Sequence, residues 1–227
     1  MEVLDNIPVE LDKEGVIQIL RLGDKDEQIE NMVQELIYDA LNTARPKAIY
    51  TVSYVTNKNG DSLEIDGINF TSLVLRANLD QVERVFPYIA TCGQELDEVT
   101  VPSGDMLRAF CLDTIKGMIL AMAIGYLSDH IRRKYALGQI SHMNPGSLED
   151  WPLEQQRELF SIFGNVEKLI GVNLTRDYTM YPLKSVSGIY FPTEIRFESC
   201  QLCLRENCIA RRAQYDPHLA RKYLGNT

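Results

Sequence analysis

Histidine is scarce in this chain, which has only 3 histidines among its 227 residues. They are scattered, and no arrangement of serine, histidine and aspartate typical of a hydrolase accompanies them. The glycine-rich motifs that hold phosphate are missing too, since neither a G-x-x-x-x-G-K-[ST] loop nor a G-x-G-x-x-G pattern occurs. These absences argue against a hydrolase, a P-loop nucleotidase and a dinucleotide-binding enzyme.

Long apolar runs are absent as well. The most apolar stretch, 115–127, contains Lys116 and is shorter than the roughly 20 residues of a membrane span. The first residues, MEVLDNIPVELDKEG, are acidic and lack the apolar core of a signal peptide. We therefore expect a cytoplasmic protein without membrane contact.

Positive charge is in deficit, because 23 Lys and Arg residues face 32 Asp and Glu residues, which gives a net charge of −9. Nucleic-acid binders usually present a basic face, so we expect no nucleic-acid partner. Basic residues gather only towards the C-terminus, at Arg205, Arg211, Arg212, Arg221 and Lys222. The hydrophobic content of 45% is typical of a globular protein.

Hydrophobic periodicity predicts both helices and strands. An amphipathic helix is expected that has Asp24 and Glu27 as its capping box, carries its apolar face at 29–40 and ends before Pro46. A much longer helix is expected over 104–135. A short helix is expected over 78–85. Extended segments are predicted at 9–20 with a turn at Gly15, at 48–55, at 72–76, at 87–91, at 176–181 and at 187–191.

Small residues recur at every fourth position of the long helix, at Gly117, Ala121 and Gly125. Glycine destabilises a helix interior by about 1 kcal/mol. Something should therefore pack closely against this small-residue stripe. We expect a second helix in the core there, and a flat ligand is the alternative.

The stretch 181–191, YPLKSVSGIYF, combines a turn with a buried strand. Pro182 interrupts the strand pattern, and Gly188 allows another part of the chain to come close to the backbone. Such a strand could hold a ligand against its backbone. It could equally be a bulge in an ordinary core strand.

Residues 126–191 taken together resemble the activation domain of cobalamin-dependent methionine synthase, and still more the free-standing relatives of that domain. The helix end YLSDHIRRKY, the Pro145-Gly146 turn and the interval from Gly146 to Gly171 occur in the family's order. The segment MYPLKSVSGIYF is similar to the family pattern M-W-P-x-x-S-V-S-G-x-Y-F, and it is the most specific of the four features. Residues 1–100 match only in general pattern.

The resemblance implies one α+β domain over 1–227, with a twisted antiparallel sheet, a long central helix, flanking helices and a Cys-containing C-terminal segment at 198–227. It also implies binding of S-adenosylmethionine in a shallow groove and docking on a corrinoid-binding protein or methyltransferase that carries cobalamin. An electron donor such as flavodoxin or ferredoxin would reduce the cobalamin before its remethylation. The protein would orient cofactors that do the chemistry themselves.

The same resemblance assigns the ligand-binding residues. The loop position of the family's arginine, which can hold a carboxylate bidentately, is taken here by His142, and the loop tyrosine is replaced by Ser147. An alignment on Gly138 would instead place Lys134 and Gln139 at these two positions. The expected binding residues are Asp129, His142, Pro145, Gly146, Ser147 and Tyr190.

Cys200, Cys203 and Cys208 form a C-x2-C-x4-C pattern in a polar segment. Three such thiolates could bind zinc or an iron–sulfur cluster, with a fourth ligand from His218, Cys92, Cys111 or a small molecule. Reduced thiols without a metal are the alternative.

Two main functions follow from these patterns. The first is a corrinoid reactivation module that binds S-adenosylmethionine. The second is a non-catalytic corrinoid-protein partner, or redox partner with a Cys-ligated metal, that has lost the methyl donor. A small metalloprotein that uses only the cysteines is the third. Whether the chain is an enzyme, as part of a methionine synthase or corrinoid methyltransferase system, stays open at the sequence level.

Overall fold

The computed structural model describes residues 1–21, 26–208 and 211–224. Its strands are β1 (Glu2–Leu4), β2 (Lys47–Tyr50), β3 (Ser53–Asn59), β4 (Ser62–Ile65), β5 (Ile68–Thr71), β6 (Arg84–Thr91), β7 (Ile140–Met143), β8 (Asn173–Leu174), β9 (Met180–Tyr181) and β10 (Ser185–Pro192). Its helices are α1 (Lys13–Leu20), α2 (Glu27–Thr43), α3 (Leu73–Asn78), α4 (Met106–Lys134), α5 (Gln156–Ser161), α6 (Val166–Ile170) and α7 (Pro217–Leu224).

Strand β6 is the centre of an antiparallel sheet, which has eight strands within the described part of the chain. One edge of β6 pairs with β10, with Gly188 opposite Tyr88, and β10 pairs in turn with β7. The other edge of β6 pairs with β2 and then with β3, from which β4 and β5 continue. The predicted α+β fold with an antiparallel sheet and a long helix is confirmed.

Helix α4 crosses one face of this sheet. Asp105 caps it by accepting a hydrogen bond of 2.9 Å from the Arg108 backbone N–H. Ala123, Leu127 and Ile131 pack against the aromatic residues of β2, β6 and β10, whereas Ile115 belongs to a second cluster with α1 and α2. The predicted bounds 104–135 agree with this helix within two residues.

The small-residue stripe does not lie in the core, so the expectation of a second helix packed against it is wrong. Ala121 and Gly125 are exposed. A β-carbon built at Gly117 or Gly125 would have no neighbour within 4 Å among the described residues, the helix's own adjacent backbone aside. The sheet occupies the neighbouring face of α4 instead, which leaves the stripe open.

Helix α4 is, among the described residues, the one helix long and apolar enough to cross a membrane by length and composition. An 18-residue window in it has a mean hydropathy of 1.5, and 33% of that window is buried inside the fold. Core helices of soluble proteins pass the same test. The absence of membrane contact and the cytoplasmic location therefore stay predictions.

Three local predictions, at 9–20, 72–76 and 78–85, are wrong because helix caps were misjudged. Residues 9–20 contain α1, whose N-terminus is capped by Asp12 through a hydrogen bond of 2.7 Å from Gly15 N–H. The expected strand at 72–76 and helix at 78–85 are replaced by α3, which Ser72 caps. Helix α2 is capped by Asp26, and the proposed cap Asp24 lies outside the described residues.

The other face of the sheet carries a core around Trp151, which is fully buried against Phe70. The chain that follows β10 packs onto this core through Phe197 and Leu202, and α7 contacts the same cluster. This packing holds the C-terminal segment close to the start of β7. Arg196, Glu198 and Arg212 thereby come to lie beside α4.

Candidate functional site

A groove of about 610 Å³ lies between α4, the start of β7 and the C-terminal segment. Its helical wall is the open side of the small-residue stripe, at Ala121 and Gly125. The full lining consists of Ala121, Ile124, Gly125, Ser128, Arg132, Gln139, Ile140, Ser141, His142, Tyr190, Arg196, Glu198 and Arg212. The volume falls in the range of small-molecule sites.

Tyr190 contributes to the floor of the groove. Its ring stacks on Tyr88, with centroids 4.3 Å apart and an interplanar angle of 26°. Its hydroxyl donates to the carbonyl oxygen of Ile124 on α4 at 3.5 Å. Because burial raises the pKa of Tyr190 well above 10.0, the hydroxyl stays protonated and serves as a donor.

His142 lies opposite Tyr190 in the pairing of β7 with β10, and the two ring centroids are 5.4 Å apart. Burial, and then the positive charge of Arg212, lower the pKa of His142 from 6.5 to about 4. The imidazole is therefore neutral at pH 7. Nη1 of Arg212 lies 3.1 Å from His142 Nε2 and can only donate, so the ring proton is assigned to Nδ1.

The C-terminal segment brings charge to the groove. Glu198, whose side chain is 9% exposed, accepts a hydrogen bond of 2.9 Å from Arg196 Nε through Oε1. Its Oε2 lies 3.3 Å from Arg212 Nε. One buried carboxylate thus holds two guanidinium groups in position beside His142.

Asp129 stands next to the groove and does not line it. Its side chain is 65% exposed and lies 3.6 Å from the guanidinium group of Arg132. It borders a separate depression with Arg133, Ala136 and Leu137. Its assignment as a ligand-binding residue stays a prediction.

The turn at Pro145 and Gly146 does not line the groove either. The N–H of Gly146 donates to the carbonyl oxygen of Trp151 at 2.8 Å, and a β-carbon at Gly146 would lie 2.7 Å from Leu153. Ser147 donates to the carbonyl oxygen of Asn144 at 2.7 Å. The structure therefore brings together His142 and Tyr190 of the six expected residues. The binding role of each of the six stays a prediction.

The close backbone approach expected at Gly188 is confirmed. The side-chain amide of Asn144 crosses it and donates to Ser187 O at 2.6 Å and to the Tyr88 hydroxyl at 2.9 Å. A β-carbon at Gly188 would lie 2.4 Å from Asn144 Nδ2. The space that a side chain would need at Gly188 is therefore occupied by the amide of Asn144.

The three clustered cysteines border the same segment. Among the residues that the structure describes, no group of three or more His, Cys, Asp or Glu side chains could hold a metal ion. Instead, the guanidinium group of Arg211 donates to the carbonyl oxygens of Cys200, Cys203, Arg205 and Ala213. Metal binding by Cys200, Cys203 and Cys208 stays a prediction that would require this segment to rearrange.

Sequence reasoning did not place Arg196, Glu198 and Arg212 in the site. The accumulation of basic residues near the C-terminus was the available signal, but nothing local connects it with α4. Gln139, expected at the site only in the alignment on Gly138, does line the groove, and Lys134 does not. The small-residue stripe was recognised, and it lines the groove through Ala121 and Gly125. The alternative that a flat ligand lies there stays a prediction.

Comparison with known proteins gives a structural match without a sequence match. No protein-family model matches the chain, and no curated protein does so either. A solved structure of the MetH reactivation domain bound to AdoHcy, S-adenosylhomocysteine, is similar to it, with a TM-score of 0.57 and 18% sequence identity. The similarity covers 88% of this chain and 81% of that one. The chain therefore has the fold of the MetH reactivation domain.

Proposed function

We propose that this chain binds S-adenosylmethionine in the groove and serves as a reactivation module for a corrinoid protein. The observation that carries the proposal is the open small-residue stripe of α4 facing Tyr190 and His142. It occurs in a chain whose fold is that of a domain solved with AdoHcy.

The groove suits a ligand that has a flat ring and a polar end. Ala121 and Gly125 leave the helix surface low enough for a ring to approach, and Ile124 adds an apolar contact. The hydroxyl of Ser128 and the amide of Gln139 provide polar groups at the same site. Small molecules are typically bound by such a mostly apolar surface with a few convergent polar groups.

The residues of this chain act by positioning. Tyr190 and His142 form a rigid floor, since one is stacked on Tyr88 and the other is held by Arg212. A bound S-adenosylmethionine supplies a methyl group, and cobalamin on the partner protein would receive it after reduction by an external donor. The groove is open on one side, so the bound ligand stays accessible to a docked protein.

Calorimetry with AdoHcy tests the binding part of the proposal. We expect binding by the unmodified protein and its loss in Ala121→Leu, because the larger side chain fills the groove. Ala109→Leu places the same change at an exposed position of α4 outside the groove, and it should bind normally. Absence of binding by the unmodified protein would overturn the proposal.

A second function, a corrinoid-protein or redox partner without S-adenosylmethionine, is favoured by the loop geometry. The turn at Pro145–Ser147 is fixed to Trp151, Asn144 and Leu153 and contributes nothing to the groove lining. In this case the docking surface would be retained while the methyl donor is lost. Binding to a corrinoid protein without any AdoHcy binding would select this function.

The redox version of this second function depends on the cysteines. Protein purified without oxygen should then carry either zinc or iron with acid-labile sulfide, and Cys203→Ala should remove it. Leu204→Ala changes an exposed residue of the same segment that cannot ligate a metal, and it should leave the metal content unchanged. If the protein is metal-free and its three thiols react freely, Cys200, Cys203 and Cys208 are reduced cysteines that bind no metal.

A further inference from the structure

The groove is positively charged although the protein is acidic. Three guanidinium groups, those of Arg132, Arg196 and Arg212, line it together with one carboxylate, that of Glu198. The net charge of the whole chain is −9. A local excess of cations in an acidic protein favours a ligand that places an anionic group at this end of the groove.

The excess charge is concentrated at the C-terminal segment. Arg132 is 3.6 Å from Asp129 and donates through Nε to the carbonyl oxygen of Gly138. Arg196 and Arg212, in contrast, share the single carboxylate of Glu198. This pair therefore keeps one positive charge that no described side chain balances.

Both guanidinium groups of the pair keep donors for a ligand. Arg212 donates through Nη1 to His142 and forms an ion pair through Nε with Glu198. Its Nη2 makes no hydrogen bond or ion pair with a described residue. Arg196 contacts Glu198 through Nε and Nη2. Its Nη1 likewise makes no hydrogen bond or ion pair with a described residue. Their side chains are 49% and 65% exposed, respectively, so a ligand can reach them.

His142 does not add to this charge. It is neutral at pH 7, because burial and Arg212 lower its pKa to about 4. It accepts the hydrogen bond of Arg212 and holds that guanidinium group over the groove. The lining is thus built to present Arg212, with Glu198 as the second support.

We infer that Arg212, assisted by Arg196, binds the carboxylate of the ligand and makes the groove selective for a ligand that carries one. Guanidinium groups match carboxylates in shape and charge, and such charge-assisted hydrogen bonds are among the strongest in proteins. This inference rests on the proposed function, since the ligand in question is the S-adenosyl amino acid.

Calorimetry with two ligands isolates the carboxylate. Decarboxylated S-adenosylmethionine lacks only that group and keeps the nucleoside, the sulfonium and the amine. We expect the unmodified protein to bind S-adenosylmethionine at least about tenfold more tightly than the decarboxylated compound. In Arg212→Gln this preference should fall to about twofold or less, and Arg196→Gln should reduce it partly.

Arg133→Gln is the matched control, because it removes the same charge from α4 outside the groove, and it should keep the full preference. Equal binding of the two ligands by the unmodified protein would overturn the inference and leave the proposed function standing. Binding of neither would overturn both. If Arg212→Gln weakens the binding of both ligands equally, the role of Arg212 is structural and the inference is overturned. An Arg212→Gln variant that keeps both affinities, and so the full preference, would overturn it too.

Discussion

Gly188 is the position where one added methyl group should disturb the site's scaffold most. A β-carbon there would lie 2.4 Å from Asn144 Nδ2 and 2.5 Å from the carbonyl oxygen of Met143. We expect Gly188→Ala to lower the free energy of unfolding by about 1–3 kcal/mol, because the strands must move apart. Denaturant unfolding measures the change.

Gly117→Ala is the control for this substitution. It adds the same methyl group within α4, where nothing described lies within 4 Å apart from the helix's own adjacent backbone. Helix propensity predicts a gain of up to about 1 kcal/mol there. Equal effects of the two substitutions would contradict the close contact at Gly188.

His142 should make the stability depend on pH. Its pKa in the folded protein is lowered to about 4, whereas an unfolded histidine titrates near 6.5. Between these values the unfolded chain binds more protons than the folded one, so the free energy of unfolding falls as the pH drops from 6.5 towards 4. The groups that face the ring are Arg212, Arg196, Glu198 and Tyr190.

Denaturant unfolding at several pH values between 7 and 4 tests this prediction. His142→Gln should remove about 1–3 kcal/mol of the pH-dependent loss. His218→Gln changes an exposed histidine of α7 and should keep the dependence of the unmodified protein. An unchanged slope in His142→Gln would show that the folded protein protonates this ring readily.

At the scale of elements, α4 has two faces with opposite tolerance to larger side chains. Ala123 is 0% exposed and packs against the sheet, so Ala123→Leu should overpack the core and lower the free energy of unfolding by about 1–3 kcal/mol. Ala121 faces the groove, so Ala121→Leu should change it by less than about 0.5 kcal/mol. Equal losses of unfolding free energy in the two variants would show that the small-residue stripe packs in the core.

Several carbonyl oxygens of the C-terminal segment converge on one side chain. Arg211 donates to four carbonyl oxygens between Cys200 and Ala213. We expect Arg211→Gln to accelerate amide hydrogen exchange in 198–216 while the sheet keeps its protection, since these carbonyls lose their partner. Arg205→Gln alters an exposed arginine in the same segment and should leave the exchange unchanged. If Arg211→Gln and Arg205→Gln show the same exchange rates in 198–216, Arg211 does not order this segment.

At the scale of the whole molecule, the single-domain prediction can be tested by shortening the chain. Phe197 and Leu202 are buried in the core around Trp151, and Leu219 and Tyr223 contact the same cluster. Removal of 196–227 should therefore lower the thermal midpoint strongly and abolish ligand binding. A shortened chain with an unchanged midpoint would make the segment an independent appendage.

Elements with a local sequence signal were predicted correctly, whereas an element that depends on a distant residue was missed. Strand β10 and helix α4 were predicted because their signals are local: a run of β-branched and aromatic residues in one, and a long apolar helical pattern in the other. Helix α3 was missed because its N-terminus depends on a distant residue. The carboxylate of Asp150 accepts hydrogen bonds of 3.0 Å from the backbone N–H groups of Leu73 and Val74.

The features of the site also fall into those set by the local sequence and those set by the tertiary structure. The sequence by itself determined the resemblance through MYPLKSVSGIYF, the small residue required at Gly188 and the stripe along α4, since each is set by backbone geometry within a few residues. Only the tertiary structure decided that the stripe faces a groove and that Arg196, Glu198 and Arg212 close it. Their position follows from burial of Phe197 and Leu202 beneath the sheet, a long-range packing preference that no local pattern contains.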